Sequence, residues 1–264
     1  MEFSKIVGSG NDFVIIDNRE GKIKNKRDLA IKLCNRKFGI GADGLLFLEN
    51  SNKADFKMRI FNPDGSEAEM CGNGLRCMLR FIYENSLTNK RKLKIETMAG
   101  ILDGEIKGKN IKIKMKLIGK LELNIKIPID NEIIIGNYVN TGVPHTIIFV
   151  EDIEKVNISE LGPKIRYNKI FGEKGTNVDW VEIVKNGLIK IRTYERGVEE
   201  ETLSCGTGSV ASAIITFLIK GMNSPINVIT RSNEILKVYF DKNLKNIYLE
   251  GKTFYAFVGK WIES

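Results

Sequence analysis

Two stretches put thiols where thiols can react. "MCGNGLRC" covers residues 70–77 and "SCGTGSVASA" covers residues 204–213. In each, a cysteine stands directly before a Gly-x-Gly turn, and an apolar run follows. A cysteine in that position sits at a helix N-terminus. There, unpaired N–H groups and a partial positive charge bind carboxylates or phosphates and lower a thiol's pKa. Cys71-Gly72-Asn73-Gly74 and Cys205-Gly206-Thr207-Gly208 therefore each offer a proton-transfer group and an anion cradle. The glycines alone are a weak signal, since neither segment has dinucleotide or P-loop spacing. The pairing is the stronger one. Two such sites can place two thiols on opposite faces of one ligand, with its carboxylate between the helix ends. Inversion of a carbon centre needs that arrangement: a base on one face, an acid on the other, and N–H groups to stabilise the carbanion's spread charge. No pyridoxal site is evident, so a cofactor-free reaction is expected.

The polar residues near the two thiols differ. The first motif has Asn62 nearby, the second Glu195 and Arg196, and His145 in "GVPHTII" stands where the first half has Phe13. A lone histidine at a turn entering a strand is ordinarily structural, and a glutamate in "TYERGVEEE" reads equally as surface charge. An asymmetric set nevertheless suits an asymmetric ligand, one end reacting and the other only recognised.

The elements that carry these residues are written twice. "GSGNDFVIIDN" (8–18) resembles "NTGVPHTIIFVED" (140–152), with Gly10 on Gly142 at an offset of 132. "KFGIGADGLLFLE" (37–49) resembles "IFGEKGTNVDWVEI" (170–183), and "FKMRIFNPDGSEAEMCGNG" (56–74) resembles "LIKIRTYERGVEEETLSCGTG" (188–208). "LKIETMAGILDGEI" (93–106) resembles "INVITRSNEILKVYF" (226–240). Block order never changes, which gives two homologous halves, 1–118 and 119–264. Short Ile- and Phe-rich runs bounded by Gly, Asn or Asp predict strands. Helices are predicted after Cys71, after Cys205 and, near the surface, over 25–37. "SVASAIITFLI" is apolar nearly all round, so its helix is expected to be buried, with Gly221 as its stop. The expected fold is α/β of the α+β kind: a curved sheet wrapped round a central helix, made twice. Cys34 and Cys77 are expected to be packing residues.

Composition narrows the classes further. The chain has 264 residues, 42% hydrophobic and 28% charged, ordinary for a globular protein. There is no signal-peptide pattern and no apolar run of transmembrane length, so a cytoplasmic location with no membrane partner is expected. The four cysteines form no C-x-x-C pair and the chain has one histidine, which argues against a metal site. The net charge of +8 raises nucleic-acid binding, but 30 of the 41 basic residues are lysines spread along strand-like stretches such as "KNIKIKMK". These read as solvated faces, and the charge suits small anionic substrates. A non-enzymatic anion- or nucleic-acid-binding protein using the same helix ends is the alternative from another class.

With these residues in place, the chain resembles the diaminopimelate epimerase family over essentially its whole length. "GSGNDFVIID", "FNPDGSEAEMCGNGLRC", "GTNVDWVEI" and "YERGVEEETLSCGTG" carry the resemblance. It implies two similar halves with the active site in the cleft between them. It also implies a homodimer, no cofactor, and the interconversion of LL- and meso-2,6-diaminoheptanedioate, a step toward lysine and peptidoglycan precursors. Carried over, Cys71 and Cys205 would be the acid/base pair, Cys71 taking the proton from the LL isomer. Backbone N–H groups of Gly72, Asn73, Gly206 and Thr207 would hold the reacting carboxylate. Asn11, Asn62, Asn177, Glu195 and Arg196 would meet the polar groups of this diamino dicarboxylate, with Arg196 at the distal carboxylate. His145 and Glu195 would tune the thiols. The chain departs from the familiar pattern at Val143, where many members have Asn, and at Gly44, where some have Gln.

Overall fold

Runs of β-branched and aromatic residues between Gly, Asn and Asp become strands, as their preference for a pleated, half-buried surface dictates. The computed structural model describes residues 1–119 and 121–262. It divides into two compact units: Met1–Lys114 together with the chain from Gly251 on, and Met115–Glu250.

In the first unit, β1 (Glu2–Gly8) and β2 (Asn11–Asp17) form a hairpin whose turn residues Ser9 and Gly10 both have positive φ, 55° and 84°. That conformation matches the strand twist. Helix α1 (Lys26–Cys34) crosses over to β3 (Gly44–Glu49), parallel to β2. Then come β4 (Phe56–Phe61), antiparallel to β3, the short β5 (Glu67–Ala68), and helix α2 (Gly72–Glu84). Strand β6 (Lys92–Thr97) is parallel to β4, and β7 (Gly100–Lys107) and β8 (Asn110–Met115) follow antiparallel.

The second unit repeats this order. Strands β9 (Glu122–Ile129), β10 (Glu132–Asn140) and β11 (Pro144–Val150) pair antiparallel in sequence. Helix α3 (Ile158–Arg166) leads to β12 (Asn177–Lys185), parallel to β11. After β13 (Leu188–Glu195) and β14 (Glu200–Thr202) comes α4 (Gly206–Lys220). Next are β15 (Ile226–Ile229), parallel to β13, then β16 (Ile235–Phe240) and β17 (Ile247–Lys252). Parallel pairs occur at the same helical crossovers in both units, and the other pairs described above are antiparallel. Repetition reaches single ion pairs. Arg59 grips Glu67 with two hydrogen bonds of 2.6 Å, and Arg192 grips Glu201 with two of 2.7 Å.

The last strand, β18 (Phe254–Lys260), pairs antiparallel with β1. It gives β1 the neighbour that β9 gives β10, so it belongs with the first unit although it lies in the sequence half 119–264.

In each unit the strands pack round one helix. Helix α2 lies against β1, β2 and β7, and α4 against β10 to β13, β15 and β16. Small and apolar residues on every side let α4 be buried continuously from Gly208 to Thr216. Two of its hydroxyls bond back into the helix, Ser209 to the Cys205 carbonyl at 2.9 Å and Thr216 to the Ser212 carbonyl at 2.7 Å, so the burial of these two costs little. Gly221 ends the helix in the left-handed conformation, φ 67°.

Helix α1 stops earlier than the predicted 25–37, because Asn35 is extended and its side chain takes the N–H groups of Lys37 and Phe38, both at 2.9 Å. Helix α3 has no counterpart in the sequence reading, since Gly162 and Pro163 interrupt its pattern. Gly162 is what lets α3 lie on β13: a Cβ there would come within 2.4 Å of the Tyr194 ring. Cys34 and Cys77 are both buried, and burial pushes the Cys34 thiol up to about 12. Among the described residues no helix is long and apolar enough to cross a membrane.

Candidate active site

Both motif cysteines start their helices by the same geometry. Cys71 is extended at φ −142° and ψ 120°, and Cys205 at φ −120° and ψ 115°. Each sulfur accepts the N–H of the third residue on, Gly74 and Gly208 respectively, at 3.4 Å. The thiol thus takes the place of the usual hydroxyl or carboxylate N-cap. Gly72 and Gly206 open the two helices, with Asn73 and Thr207 next, so the first-turn N–H groups belong to the residues singled out from sequence.

Behind the first helix end lies an amide and guanidinium network. Asn73 donates to the Asn11 side-chain carbonyl at 2.6 Å. The fully buried Arg76 donates to the Asn73 side-chain carbonyl at 2.8 Å and to the Ser9 hydroxyl at 2.6 Å. Asn11 in turn donates to Asp43 at 3.1 Å. Arg36 bridges Asp43 and Asp12, and Lys5 pairs with Asp12 at 2.7 Å and also donates to the Gly41 carbonyl. Burial pushes the Asp12 carboxyl up, but hydrogen bonds from Arg36 and Lys5 override it and hold the group well below the usual carboxylate range. Asn62 stands on a separate turn, its amide donating to the Ser66 hydroxyl at 3.0 Å. Gly44 has a local reason. A Cβ there would lie 3.3 Å from the Phe13 ring, so the residue that replaces histidine in this half claims the space.

The second helix end is built on anions. The Cys205 sulfur lies 3.3 Å from the Thr207 hydroxyl, which lies 2.9 Å from His145 Nε2. His145 Nδ1 is 2.6 Å from Asp179 Oδ2, and Thr193, the cross-strand partner of Asp179, donates to Asp179 Oδ1 at 2.7 Å. His145 and Asp179 are fully buried. Thr141 fixes the first turn of the helix by donating to the Thr207 carbonyl at 3.0 Å. Glu195 accepts the Thr202 hydroxyl at 2.8 Å. Burial raises its carboxyl above the ordinary value, against the lowering by Thr202 and His145, and Asp179 raises it further.

These surroundings correct one expectation. A helix N-terminus alone lowers a thiol's pKa. Cys205 is instead pushed well up, first by burial and then by the charges of Glu195 and Asp179, which outweigh the hydrogen bonds from Thr207 and Gly208. Burial and these charges favour the protonated thiol.

Asn177 is used within the protein at both ends of its amide. It donates to the Pro144 carbonyl and accepts the Arg196 N–H, both at 2.8 Å, and so ties the histidine turn to the Arg196 loop. The Arg196 guanidinium reaches the Lys174 carbonyl at 3.5 Å. Thus Asn11 meets Asn73 in one unit. His145 meets Thr207 and Thr207 meets Cys205 in the other. Sequence reasoning missed Ser9, Asp43, Arg76, Thr141, Asp179 and Thr193. For Asp179 a signal existed: a lone carboxylate inside the apolar run "VDWV", on the same strand face as Asn177.

Known proteins repeat the sequence pattern and the fold. A sequence model of diaminopimelate epimerase matches residues 3–121 and again 137–255, once per half. A curated diaminopimelate epimerase of Aquifex aeolicus is 45% identical, the match covering 100% of this chain and 98% of that one. The one of Caldanaerobacter subterraneus subsp. tengcongensis is 42% identical, over 98% and 99%. Two solved structures share the fold at low identity. A Bacillus anthracis phenazine biosynthesis protein of the PhzF family has TM-score 0.76 at 18% identity, over 100% of this chain and 99% of that one. A hydroxyproline epimerase from Agrobacterium vitis has TM-score 0.68 at 16%, over 98% and 90%. A family signature matched twice, and relatives aligned from end to end at more than two residues in five, leave one conclusion: the chain belongs to the diaminopimelate epimerase family.

Proposed function

We infer that this protein is an isomerase interconverting LL- and meso-2,6-diaminoheptanedioate, by proton transfer at one α-carbon and without a cofactor. The observation that carries this is the duplicated cap: Cys71 and Cys205 each take the third N–H of their helix at 3.4 Å. A sulfur so placed stands beside N–H groups that can hold an α-carboxylate.

In the LL-to-meso direction the Cys71 thiolate removes the α-proton and the Cys205 thiol delivers one to the opposite face. The raised pKa of Cys205 supports the donor role. N–H groups of Gly72, Asn73, Gly206 and Thr207 stabilise the carboxylate as carbanion charge spreads onto it. Asn11, Asn62, Asn177, Glu195 and Arg196 recognise the substrate's remaining polar groups, Arg196 at the distal carboxylate. His145 and Glu195 set the proton affinity of the thiols.

The enzyme works in the cytoplasm as a homodimer. Exposed apolar side chains on β18 support the dimer: Phe254, Phe257 and Val258 are 47%, 49% and 70% exposed.

The test is proton exchange. Reduced protein mixed with the LL isomer in D₂O without cofactor should place deuterium at the α-carbon as the meso isomer appears, followed by NMR. No exchange under reducing conditions would overturn this reading.

A further inference from the structure

The second helix end contains a directed chain of hydrogen bonds that the first half does not repeat, since Phe13 and Leu46 stand where His145 and Asp179 stand. We propose that Asp179 is a positioning residue for proton transfer at Cys205. It fixes the His145 ring so that Nε2 faces the Thr207 hydroxyl as an acceptor, and that hydroxyl connects the ring to the sulfur. The inference rests on the two-thiol reading above.

A carboxylate can only accept, so the hydrogen in the 2.6 Å contact belongs to His145 Nδ1. In the neutral ring Nε2 is then the acceptor, and it takes the Thr207 hydroxyl hydrogen at 2.9 Å. The threonine oxygen keeps its lone pairs for the Cys205 S–H at 3.3 Å. Every bond in the chain points from sulfur to carboxylate. Thr193 holds the other carboxylate oxygen at 2.7 Å, so Asp179 cannot turn away. Gly208, in the first turn of α4, fits the same purpose: a Cβ there would lie 2.3 Å from Asp179 Oδ1, so the helix packs directly on the carboxylate.

The chain has two settings. In one, Cys205 is a thiol and His145 neutral. In the other, the sulfur's proton has gone to Thr207 Oγ1 while that hydroxyl's own proton has gone to Nε2. This leaves a thiolate, an intact hydroxyl and an imidazolium facing Asp179. One proton moves by two short transfers and no electrons change hands. The thiolate setting is the one Cys205 needs as the base, in the meso-to-LL direction. Glu195 and Asp179 both oppose it as nearby anions, and Asp179 offsets its share because a carboxylate against Nδ1 favours the imidazolium. Asp179 thus serves one thiol and one direction.

His145 is the chain's one histidine, so its ring can be read without substitution of any other residue. In ¹⁵N-labelled protein without substrate, the imidazole nitrogens should show hydrogen on Nδ1. In Asp179→Asn, whose amide can donate, the hydrogen should move to Nε2. A wild-type ring protonated on Nε2 would overturn the proposal. The kinetic arm follows α-deuterium exchange in each isomer separately. Asp179→Asn should slow exchange into the meso isomer about 100-fold more than into the LL isomer. Thr207→Val should do the same and Thr207→Ser should restore it, which decides the matter even if Asp179→Asn fails to fold. Equal loss for both isomers, or wild-type exchange in Thr207→Val, would refute the relay. Absence of exchange in the wild-type protein would instead refute the two-thiol reading, while the ¹⁵N spectra would still judge the histidine geometry.

Discussion

Two cysteines at equivalent places have unequal neighbours. Arg76, Asn73 and Asn11 stand behind Cys71, while Asp179 and Glu195 stand near Cys205. The inequality leads to a division of labour. Cys71→Ala and Cys205→Ala should each abolish inversion, because each removes one of the two faces of proton transfer. Backbone N–H groups survive both substitutions, so single-sided exchange should persist: Cys205→Ala in the LL isomer and Cys71→Ala in the meso isomer. NMR in D₂O separates the outcomes, and inversion by either folded variant would rule out the two-thiol mechanism. A third cysteine makes a prediction about stability. Burial raises the Cys34 thiol from 9.0 to about 12, so the folded chain keeps a proton that the unfolded chain releases above about 9. Stability should therefore fall as pH rises from about 9 toward 12, and Cys34→Ala should show a shallower fall in denaturant titrations across that range. The positions of the thiols were legible in the sequence from the Gly-x-Gly turns beside them. Their proton affinities were not, because these depend on burial and on carboxylates brought from distant strands.

At the scale of elements, the two helix starts look interchangeable in sequence and are not. A Cβ on Gly74 would rest at 3.5 Å from Cys71, Ile60 and Leu46, which is ordinary contact. A Cβ on Gly208 would lie 2.3 Å from Asp179 Oδ1. Gly74→Ala should be nearly neutral, while Gly208→Ala should cost about 1–3 kcal/mol from overpacking and should displace Asp179. Thermal melts of the two variants check the contrast, and equal losses would contradict it. The same pairing explains what was hidden. His145 and Asp179 are 34 residues apart and meet only because α3 carries the chain over to make β12 parallel to β11. Helix α3 was itself obscured by Gly162-Pro163, so nothing in the sequence announced that contact. The apolar length of α4, by contrast, announced its own burial.

At the scale of the whole molecule, the duplication was legible because collinear blocks recur at a near-constant offset. The exchange of strands at its ends was not, since β18 carries no motif and its place is set by pairing with β1. Phe254, Phe257 and Val258 of β18 are exposed, which suits a subunit interface. Phe257→Asp should leave the fold intact, as the side chain is 49% exposed, and, on the homodimer proposed above, should shift the sedimenting species to monomer. An unchanged dimer would move the interface elsewhere.

The pairing of β1 with β18 also fixes the order in which a newborn chain can finish its parts. Met1 and Trp261 exchange two backbone hydrogen bonds of 2.8 Å, so a residue made early is held by one made late. While the ribosome still covers the C-terminal stretch, residues 115–250 already contain all the strands of their unit, whereas the earlier-made unit lacks its edge. The later-made unit should therefore gain protease resistance first. Stalled nascent chains ending near residue 250, extended by a linker long enough to clear the exit tunnel, should protect fragments from 115 onward and leave the N-terminal stretch open to cleavage until β18 emerges.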